Sequence, residues 1–241
     1  MAGEKPGIRE AEAGARAAEL IGGLVSWLGE LLQRFPVGSG RPVRLEADAP
    51  SEQLLVLRVV SGSVELRHGG GGLRLRGRAK RPEAIRYRLE EQDDGSLVGY
   101  LVIRDAYVTV EAGFSALRLE ADSSVAKIKA GEAVLREVLV SADSASVTLR
   151  AGLAPGAAFR AELDSSMLSA TLVPHGEGDY RVEVVADSSA ARVRIEGEKS
   201  IIVESVEKSS ASVAVAESRV TEEPVRVHVR IVADSSAVKI E

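Results

Sequence analysis

The chain of 241 residues contains no cysteine and no asparagine, and only 3% of its residues are aromatic. The absence of cysteine excludes disulfides, thiolate nucleophiles, zinc ribbons and iron–sulfur ligation. The three histidines, His68, His175 and His228, are far apart and lack metal-ligand spacing, so no zinc or facial-triad iron site is predicted. Avoiding asparagine is a thermophile tendency, while the preference for arginine over lysine also fits a GC-rich genome.

Motifs of the common enzyme classes are also absent. The chain has no Gly-x-Ser-x-Gly nucleophile elbow, no phosphate-binding Gly-x-x-x-x-Gly-Lys-Ser/Thr loop and no dinucleotide-binding Gly-x-Gly-x-x-Gly unit. We therefore predict a protein that is not an enzyme and has no cofactor. An enzyme acting on polysaccharide is the third alternative, and it would need an acidic groove that the sequence does not display.

The charge balance is acidic overall, with one basic exception. The chain has 31 Lys and Arg against 36 Asp and Glu, a net charge of −5, which argues against bulk nucleic-acid binding. Residues 67–88 carry eight basic side chains and a single acidic one, Glu83. Alternation with apolar residues predicts an outward stripe on a strand, either a solvated face or a patch for an anionic partner: Arg74, Arg76, Arg78, Lys80, Arg81, Arg86 and Arg88.

The N-terminal segment does not resemble an export signal, because a mixture of acidic and basic residues precedes any apolar run. We therefore expect a cytoplasmic protein. Helical spacing then predicts an amphipathic helix, too short to span a bilayer, that lies either on the protein's own open end or on a membrane or partner. Its apolar face consists of Leu20, Leu24, Trp27, Leu28, Leu31 and Phe35. A Pro/Gly linker follows, so residues 1–40 form one region and residues 41–241 a repeat domain.

A repeat of about 21 residues is the most specific signal in the chain. Strand-like alternation is interrupted by a short Asp-Ser motif, first at Asp122 and then 21, 42 and 65 residues later. The last inward apolar residue before each interruption and the first one after it are five residues apart, as in Ala121 and Ala126. The motif residues are Asp122, Ser123, Asp143, Ser144, Asp164, Ser165, Asp187, Ser188, Asp234 and Ser235.

This pattern predicts an all-β fold. A chain that turns every ten residues or so while one face stays apolar is typical of a single-stranded β-solenoid, here of about nine coils. One alternative stays open, an antiparallel sandwich or barrel of hairpins, which also keeps positions five apart on one face. A weak further copy of the turn is predicted between Lys80 and Glu83.

The Ala-Asp-Ser-Ser repeats and the alternating strands around residues 59–66 resemble the family of uncharacterised β-strand-repeat "putative adhesin" domains. The resemblance covers residues 43–241 and implies a single-stranded β-solenoid, often at the cell surface, without established catalytic residues. A more distant comparison is with bactofilins, β-helical proteins that polymerise end to end, but their Gly-flanked Ile/Val pattern is absent here.

The Asp-Ser motifs are predicted to cap sharp turns, because aspartate and serine side chains bond to nearby backbone amides. Stacked units would place the aspartates side by side in a ladder. The more specific alternative is therefore that Asp122, Asp143, Asp164 and Asp187 bind cations along this ladder. We expect the turn role.

The C-terminal segment is expected to be the uncapped end of the solenoid. Unpaired strand edges invite another chain, so this end is predicted to pair with a second copy through Val229, Ile231, Val238 and Ile240. The leading function is therefore a structural scaffold that self-associates. The runner-up is a peripheral module that binds a membrane surface, a protein or an anionic ligand through the N-terminal helix or the arginine stripe. Nucleic acid is disfavoured because Tyr87 is the only aromatic residue near the stripe.

Overall fold

A computed structural model describes residues 40–216 and 224–241, which belong to a unit that begins at Gly40. The predicted N-terminal helix, with Leu20, Leu24, Trp27, Leu28, Leu31 and Phe35, lies outside the described residues. The all-β prediction is confirmed: seventeen strands and one short 3-10 turn, Pro82–Ala84, are present in the described part. The same part contains no helix with the length and apolar character needed to cross a membrane.

The strands differ widely in length, from four to nineteen residues. Their bounds are β1 (Arg41–Ala47), β2 (Leu54–Val60), β3 (Ser63–His68), β4 (Leu73–Ala79), β5 (Ile85–Glu91), β6 (Leu97–Arg104), β7 (Ala106–Ala112), β8 (Ala116–Asp122), β9 (Val125–Asp143), β10 (Ser146–Asp164), β11 (Met167–Pro174), β12 (Gly178–Asp187), β13 (Ala190–Ile195), β14 (Ser200–Ser209), β15 (Ser212–Val215), β16 (Val225–Asp234) and β17 (Ala237–Ile240).

Eight sharp turns, which we call arcs, join these strands within the described residues. At the centre of each arc one non-glycine residue adopts a left-handed conformation, with φ between 44° and 51°. L-residues other than Asn and Asp rarely visit this region, and the chain has no asparagine. The arc centres are Ser61, Asp105, Ser123, Ser144, Ser165, Ser188, Ser210 and Ser235.

The strands pair mainly in parallel, each with the equivalent strand of another strand–arc–strand unit. Asp143, for example, is in register with Asp122 on one side and with Asp164 on the other. Strands that precede arcs form one row, the pre-arc row, and strands that follow arcs form a second, the post-arc row. The halves of β9 and β10 belong to different rows. The two strands of a hairpin would pair antiparallel with each other, so the hairpin alternative does not describe these arcs.

The core lies between the two rows and consists mostly of small and branched aliphatic side chains. The five-residue step predicted across each arc is confirmed, because both members of each pair are buried, as Ala121 (4% exposed) and Ala126 (1% exposed) illustrate. Among the described residues, only Phe114, Phe159 and Tyr180 add fully buried aromatic rings. Burial of apolar surface at roughly 25 cal/mol per Å² makes this shared interior the main stabilising contribution.

One segment runs opposite to the rest. Gly71 and Gly72, with φ of 85° and 144°, reverse the chain after β3, and a bulkier residue would be strained there. As a result β4 pairs antiparallel with β7 and with β1, and β5 pairs antiparallel with β6. The weak arc copy predicted at residues 80–83 is therefore wrong. Those residues lead into the 3-10 turn Pro82–Ala84 that joins the two reversed strands.

The units do not stack in chain order. Strand β16 pairs with β12 on one side and with β14 on the other, and β17 lies between β13 and β15 in the same way. Val229, Ile231, Val238 and Ile240 are each at most 3% exposed. The prediction that these four residues form the free end is wrong, because the penultimate unit, β14 and β15, occupies that edge.

The exposed edge at β14 has features that oppose further stacking. The register shifts at Glu204, between Val203 and Ser205, which is a β-bulge. Lys208 occupies the register position of Ala233, an inward-facing residue of the neighbouring strand. Bulges and charges at inward positions are devices by which natural sheets discourage edge-to-edge pairing. The edge strand is thus poorly suited to accept another copy.

Candidate functional site

The outward side of the post-arc row is strongly basic, and we call it the basic face. It comprises the outward side chains of β1, β3, β4, β7, β11, β13, β17 and the first halves of β9 and β10. Among the described side chains, eleven of these are basic and three acidic, and two further acidic residues stand directly after β13 and β17, in a chain whose net charge is −5. The basic ones are Arg44, Arg67, Arg74, Arg76, Arg78, Lys127, Lys129, Arg150, Arg192, Arg194 and Lys239, the acidic ones are Glu46, Glu65 and Glu111, and the two that follow the strands are Glu196 and Glu241.

The cations form rows that cross the strands, because equivalent positions of successive units lie side by side in the paired strands. The sixth residue after an arc centre is Arg67, Lys129 and Arg150 on three consecutive strands, followed by Thr171 and Arg194. The fourth residue gives a second row that includes Lys127, Thr148, Ser169 and Arg192. Neighbouring strands lie about 4.8 Å apart, so each row is a regular ladder, mostly of cationic and hydroxyl side chains. Glu65 belongs to the fourth-residue row, and Glu111 and Glu241 belong to the sixth-residue row.

Ion pairs neutralise only part of this charge. Glu65 is 3.0 Å from Arg67 and 2.6 Å from Lys129, measured between its Oε1 and their nitrogens. The bond from Lys129, followed by that from Arg67, holds the pKa of Glu65 below its usual value. Glu241 likewise pairs with Lys239 and Arg192, and both lower its pKa. Glu65 and Glu241 are therefore ionised near neutral pH, and the remaining excess on the face is positive.

The structure divides the predicted arginine stripe among three places. Arg74, Arg76 and Arg78 lie on β4 and belong to the basic face. Arg88 lies on β5, at the end of the pre-arc row, where its guanidinium stacks 4.5 Å from the ring centroid of Tyr100. Lys80, Arg81 and Arg86 line a shallow depression at the corner between the two rows, together with Glu83, Arg104 and Asp105.

Most of the basic face was missed by the sequence analysis, because its members are separated by 20 to 50 residues in the chain. A local charge count finds the stripe at residues 74–88 but not Lys127, Arg150 or Arg194. The signal that reveals them is positional: the fourth and sixth residues after each arc centre must be compared from one repeat to the next.

The predicted arc residues do form turns, but the bond that the structure shows there joins the two side chains to each other, whereas the prediction had them bond to backbone amides. In each of the five Asp-Ser arcs the serine hydroxyl donates to the Oδ1 of the preceding aspartate, as Ser123 does to Asp122 over 2.8 Å. The aspartates are in register along one exposed corner of the fold. Nowhere in residues 40–216 and 224–241 do three or more potential metal ligands come together as a metal site. The cation-ladder alternative therefore has no structural support.

A second, buried ladder follows the serine that comes after the arc centre. The hydroxyl of Ser166 donates to the carbonyl of Asp164 over 2.7 Å and accepts from the amide of Ala145 in the adjacent unit over 3.0 Å. Ser189 and Ser236 repeat both contacts. These hydroxyls satisfy backbone groups that the turn would otherwise bury without partners, so they join the arcs of successive units.

Comparisons with known proteins find no matching family model and no matching curated protein sequence. Solved structures do match. A putative cell adhesion protein from Clostridium sporogenes is 12% identical with a TM-score of 0.40, covering 83% of this chain and 99% of that one. A putative adhesin from Bacteroides fragilis is 9% identical with a TM-score of 0.37, covering 83% and 97%. A putative lipid binding protein from Parabacteroides distasonis is 11% identical with a TM-score of 0.33, covering 85% and 98%. The solved structures to which this chain is similar thus include the "putative adhesin" proteins that its repeats resemble.

Proposed function

We propose that this protein is a non-enzymatic β-solenoid scaffold that presents its basic face to an anionic partner. The observation that carries the proposal is the excess of eleven basic over five acidic side chains, Glu196 and Glu241 included, on one sheet face of an acidic chain. The solenoid assignment is supported by parallel pairing between equivalent positions of successive repeats, such as Asp122 with Asp143 and Asp143 with Asp164.

The basic face differs in charge from the other surfaces of the described fold. The pre-arc row is electrically mixed, and several of its cations pair with neighbouring carboxylates, as Arg160 does with Glu162 (2.7 Å) and Arg226 with Asp179 (2.7 Å). The arc corner carries the column of exposed aspartates. Positive potential is therefore concentrated on one side of the fold, where it attracts and orients an anionic partner.

Self-association, the leading expectation from sequence, loses its basis in this arrangement. It required Val238 and Ile240 to be at a free edge, but both are at most 3% exposed and β17 has a partner strand on each side. The strand that does form the edge contains Lys208 and the bulge at Glu204. The runner-up role, binding of an anionic ligand, is the one that the geometry favours.

A pair of charge-reversal variants of the full-length protein tests the proposal. Lys127→Glu with Arg194→Glu changes the basic face, and Arg118→Glu with Arg181→Glu makes the same change in net charge on the pre-arc row. None of these four residues forms a salt bridge with another described residue, so neither variant removes an ion pair. Binding is measured against anionic lipid vesicles and soluble polyanions, with circular dichroism as the check on folding.

The proposal predicts that the basic-face variant loses binding while the pre-arc variant retains it, and that added salt weakens wild-type binding. Equal loss in both variants would assign the effect to net charge alone. Failure of the wild-type protein to bind any of these anionic probes at low salt would overturn the proposal.

A further inference from the structure

The basic face has the geometry of a track for a linear polymer. Resting on the proposed function, we infer that its partner is an extended acidic polysaccharide with carboxylate groups, which crosses the strands along the direction in which the units stack. Three features of the face lead to this partner: the regular spacing of the cations, the hydroxyl side chains between them, and the chemistry of the outward residues.

Spacing is the first argument. Arg67, Lys129 and Arg150 occupy the same position on three adjacent strands, so their charges repeat at about the strand separation of 4.8 Å. A polymer with one carboxylate on each sugar presents a similarly regular series of anions. Once the first carboxylate is held, the next ones bind as intramolecular events, so affinity increases steeply with the number of sugars.

Side-chain chemistry is the second argument. Thr148, Ser169 and Thr171 lie between the cations of the two rows, and each hydroxyl can both donate and accept a hydrogen bond. Sugar hydroxyls also both donate and accept hydrogen bonds, so side chains with hydroxyl groups can bind them. The guanidinium group of Arg194 can match a carboxylate with two parallel hydrogen bonds, a geometry that an ammonium group cannot provide. Arg150 already holds the carboxylate of Glu196 in this way, over 3.0 and 2.8 Å.

A membrane fits the face less well. Proteins that lie on lipid insert large apolar side chains below the headgroups in addition to using basic residues. Within the described strands, the outward positions of the basic face contain no Trp, Phe, Leu or Ile, and its only aromatic side chain is the partly buried Tyr107. The same lack of aromatic rings disfavours single-stranded nucleic acid, which binds by stacking its bases on them.

The test compares four probes on the full-length protein by titration calorimetry at low salt. They are polygalacturonate, the same polymer with its carboxylates methyl-esterified, phosphatidylglycerol-containing vesicles and single-stranded oligo-deoxythymidine. We expect polygalacturonate to bind, the esterified polymer not to bind, and affinity to increase with oligomer length until the oligomer spans the five strands from β3 to β13. The Lys127→Glu, Arg194→Glu variant should bind at least about tenfold more weakly, whereas the Arg118→Glu, Arg181→Glu variant should stay within about twofold of wild type.

The outcomes separate this inference from the proposal beneath it. Binding to vesicles or oligo-deoxythymidine without binding to polygalacturonate would overturn the polysaccharide inference while leaving an anionic partner in place. Equal affinity for the polymer and its methyl ester would also overturn it, because the carboxylates would then contribute nothing. No binding to any probe would overturn both.

Discussion

The hydroxyl of Ser189 accepts a hydrogen bond of 3.0 Å from the backbone amide of Ser166 in the adjacent unit, and it donates one of 2.6 Å to the carbonyl of Asp187 in its own arc. One side chain, 1% exposed, thus satisfies two backbone groups from different repeats. Ser124 occupies the equivalent position three units away and is also fully buried, but its hydroxyl has no hydrogen-bond partner among the described residues.

This difference predicts opposite outcomes for the same substitution. Ser189→Ala leaves the buried amide of Ser166 unsatisfied and should lower the free energy of unfolding by about 1–3 kcal/mol. Ser124→Ala removes a buried hydroxyl that forms no bond and should be neutral or slightly stabilising. Urea unfolding monitored by circular dichroism measures both. Equal destabilisation by the two variants would show that the hydroxyl ladder contributes nothing specific.

Close packing at the arcs leads to a second prediction, at Gly62. A Cβ atom there would lie 2.5 Å from the carbonyl oxygen of Ala106 in the neighbouring arc, a contact that only backbone movement can relieve. Gly62→Ala should therefore destabilise the protein by about 1–3 kcal/mol. The control is Gly70→Ala, because a Cβ at Gly70 meets nothing within 4 Å. A Gly62→Ala variant as stable as the control would show that the arcs can accommodate a Cβ atom at this position.

Lys208 provides a test of the edge. With Lys208→Val, the inward register position beside Ala233 becomes apolar and the edge of β14 loses a charge that opposes pairing. We expect this variant to associate more than wild type when its molar mass is followed by light scattering over a range of concentrations.

Lys127→Val is the matched control for the edge test, because it makes the same chemical change at an exposed position of β9, a strand with partners on both sides. Equal association of the two variants would assign the effect to added apolar surface. A Lys208→Val variant that behaves like wild type would show that Lys208 does not protect the edge.

The ion pairs of Glu65 predict a pH dependence with a definite sign. Lys129 and Arg67 hold its folded-state pKa below the ordinary value of 4.5, so its contribution to stability is complete above that value and is lost as the pH falls through the folded pKa. Glu65→Gln should therefore lower stability by up to about 1 kcal/mol near pH 7 and by less near pH 3.

Urea midpoints at the two pH values measure this difference. Glu137→Gln is the control, since Glu137 is exposed and forms no salt bridge with a described residue. A Glu65→Gln cost that stays constant or increases as the pH falls would contradict the assignment.

The arcs could be predicted from sequence because the information about them is local. Alternation on either side of the Asp-Ser motif places Ala121 and Ala126 on the same face, and the structure buries both. The aspartate and serine side chains stabilise the turn with bonds to residues next to them in the chain, such as Ser144 to Asp143. No knowledge of the neighbouring units is needed to recognise such a turn.

The stacking order could not be predicted, because every unit presents nearly the same pattern to its neighbours. Strand β12 presents Val182 and Val184 to whichever strand lies beside it, and the alternating apolar residues of β14 and β16 both fit. A period-2 alternation of apolar residues is the same for a strand that runs in either direction. The reversal at Gly71 and Gly72 therefore could not be predicted from it. The basic face depends on this stacking, and therefore only its one contiguous part, Arg74 to Arg78, was recognised.

The inserted position of β16 and β17 has a consequence for how the protein is made. During synthesis the exposed edges of β12 and β13 meet β14 and β15 before the strands that natively lie between them have left the ribosome. A nascent chain can therefore form an early, misordered stack, and β14 and β15 must then detach to admit β16 and β17. Folding should accordingly show a slow phase in which strands exchange. This phase should disappear in a circular permutant whose sequence places residues 224–241 ahead of residue 200, so that they are synthesised first.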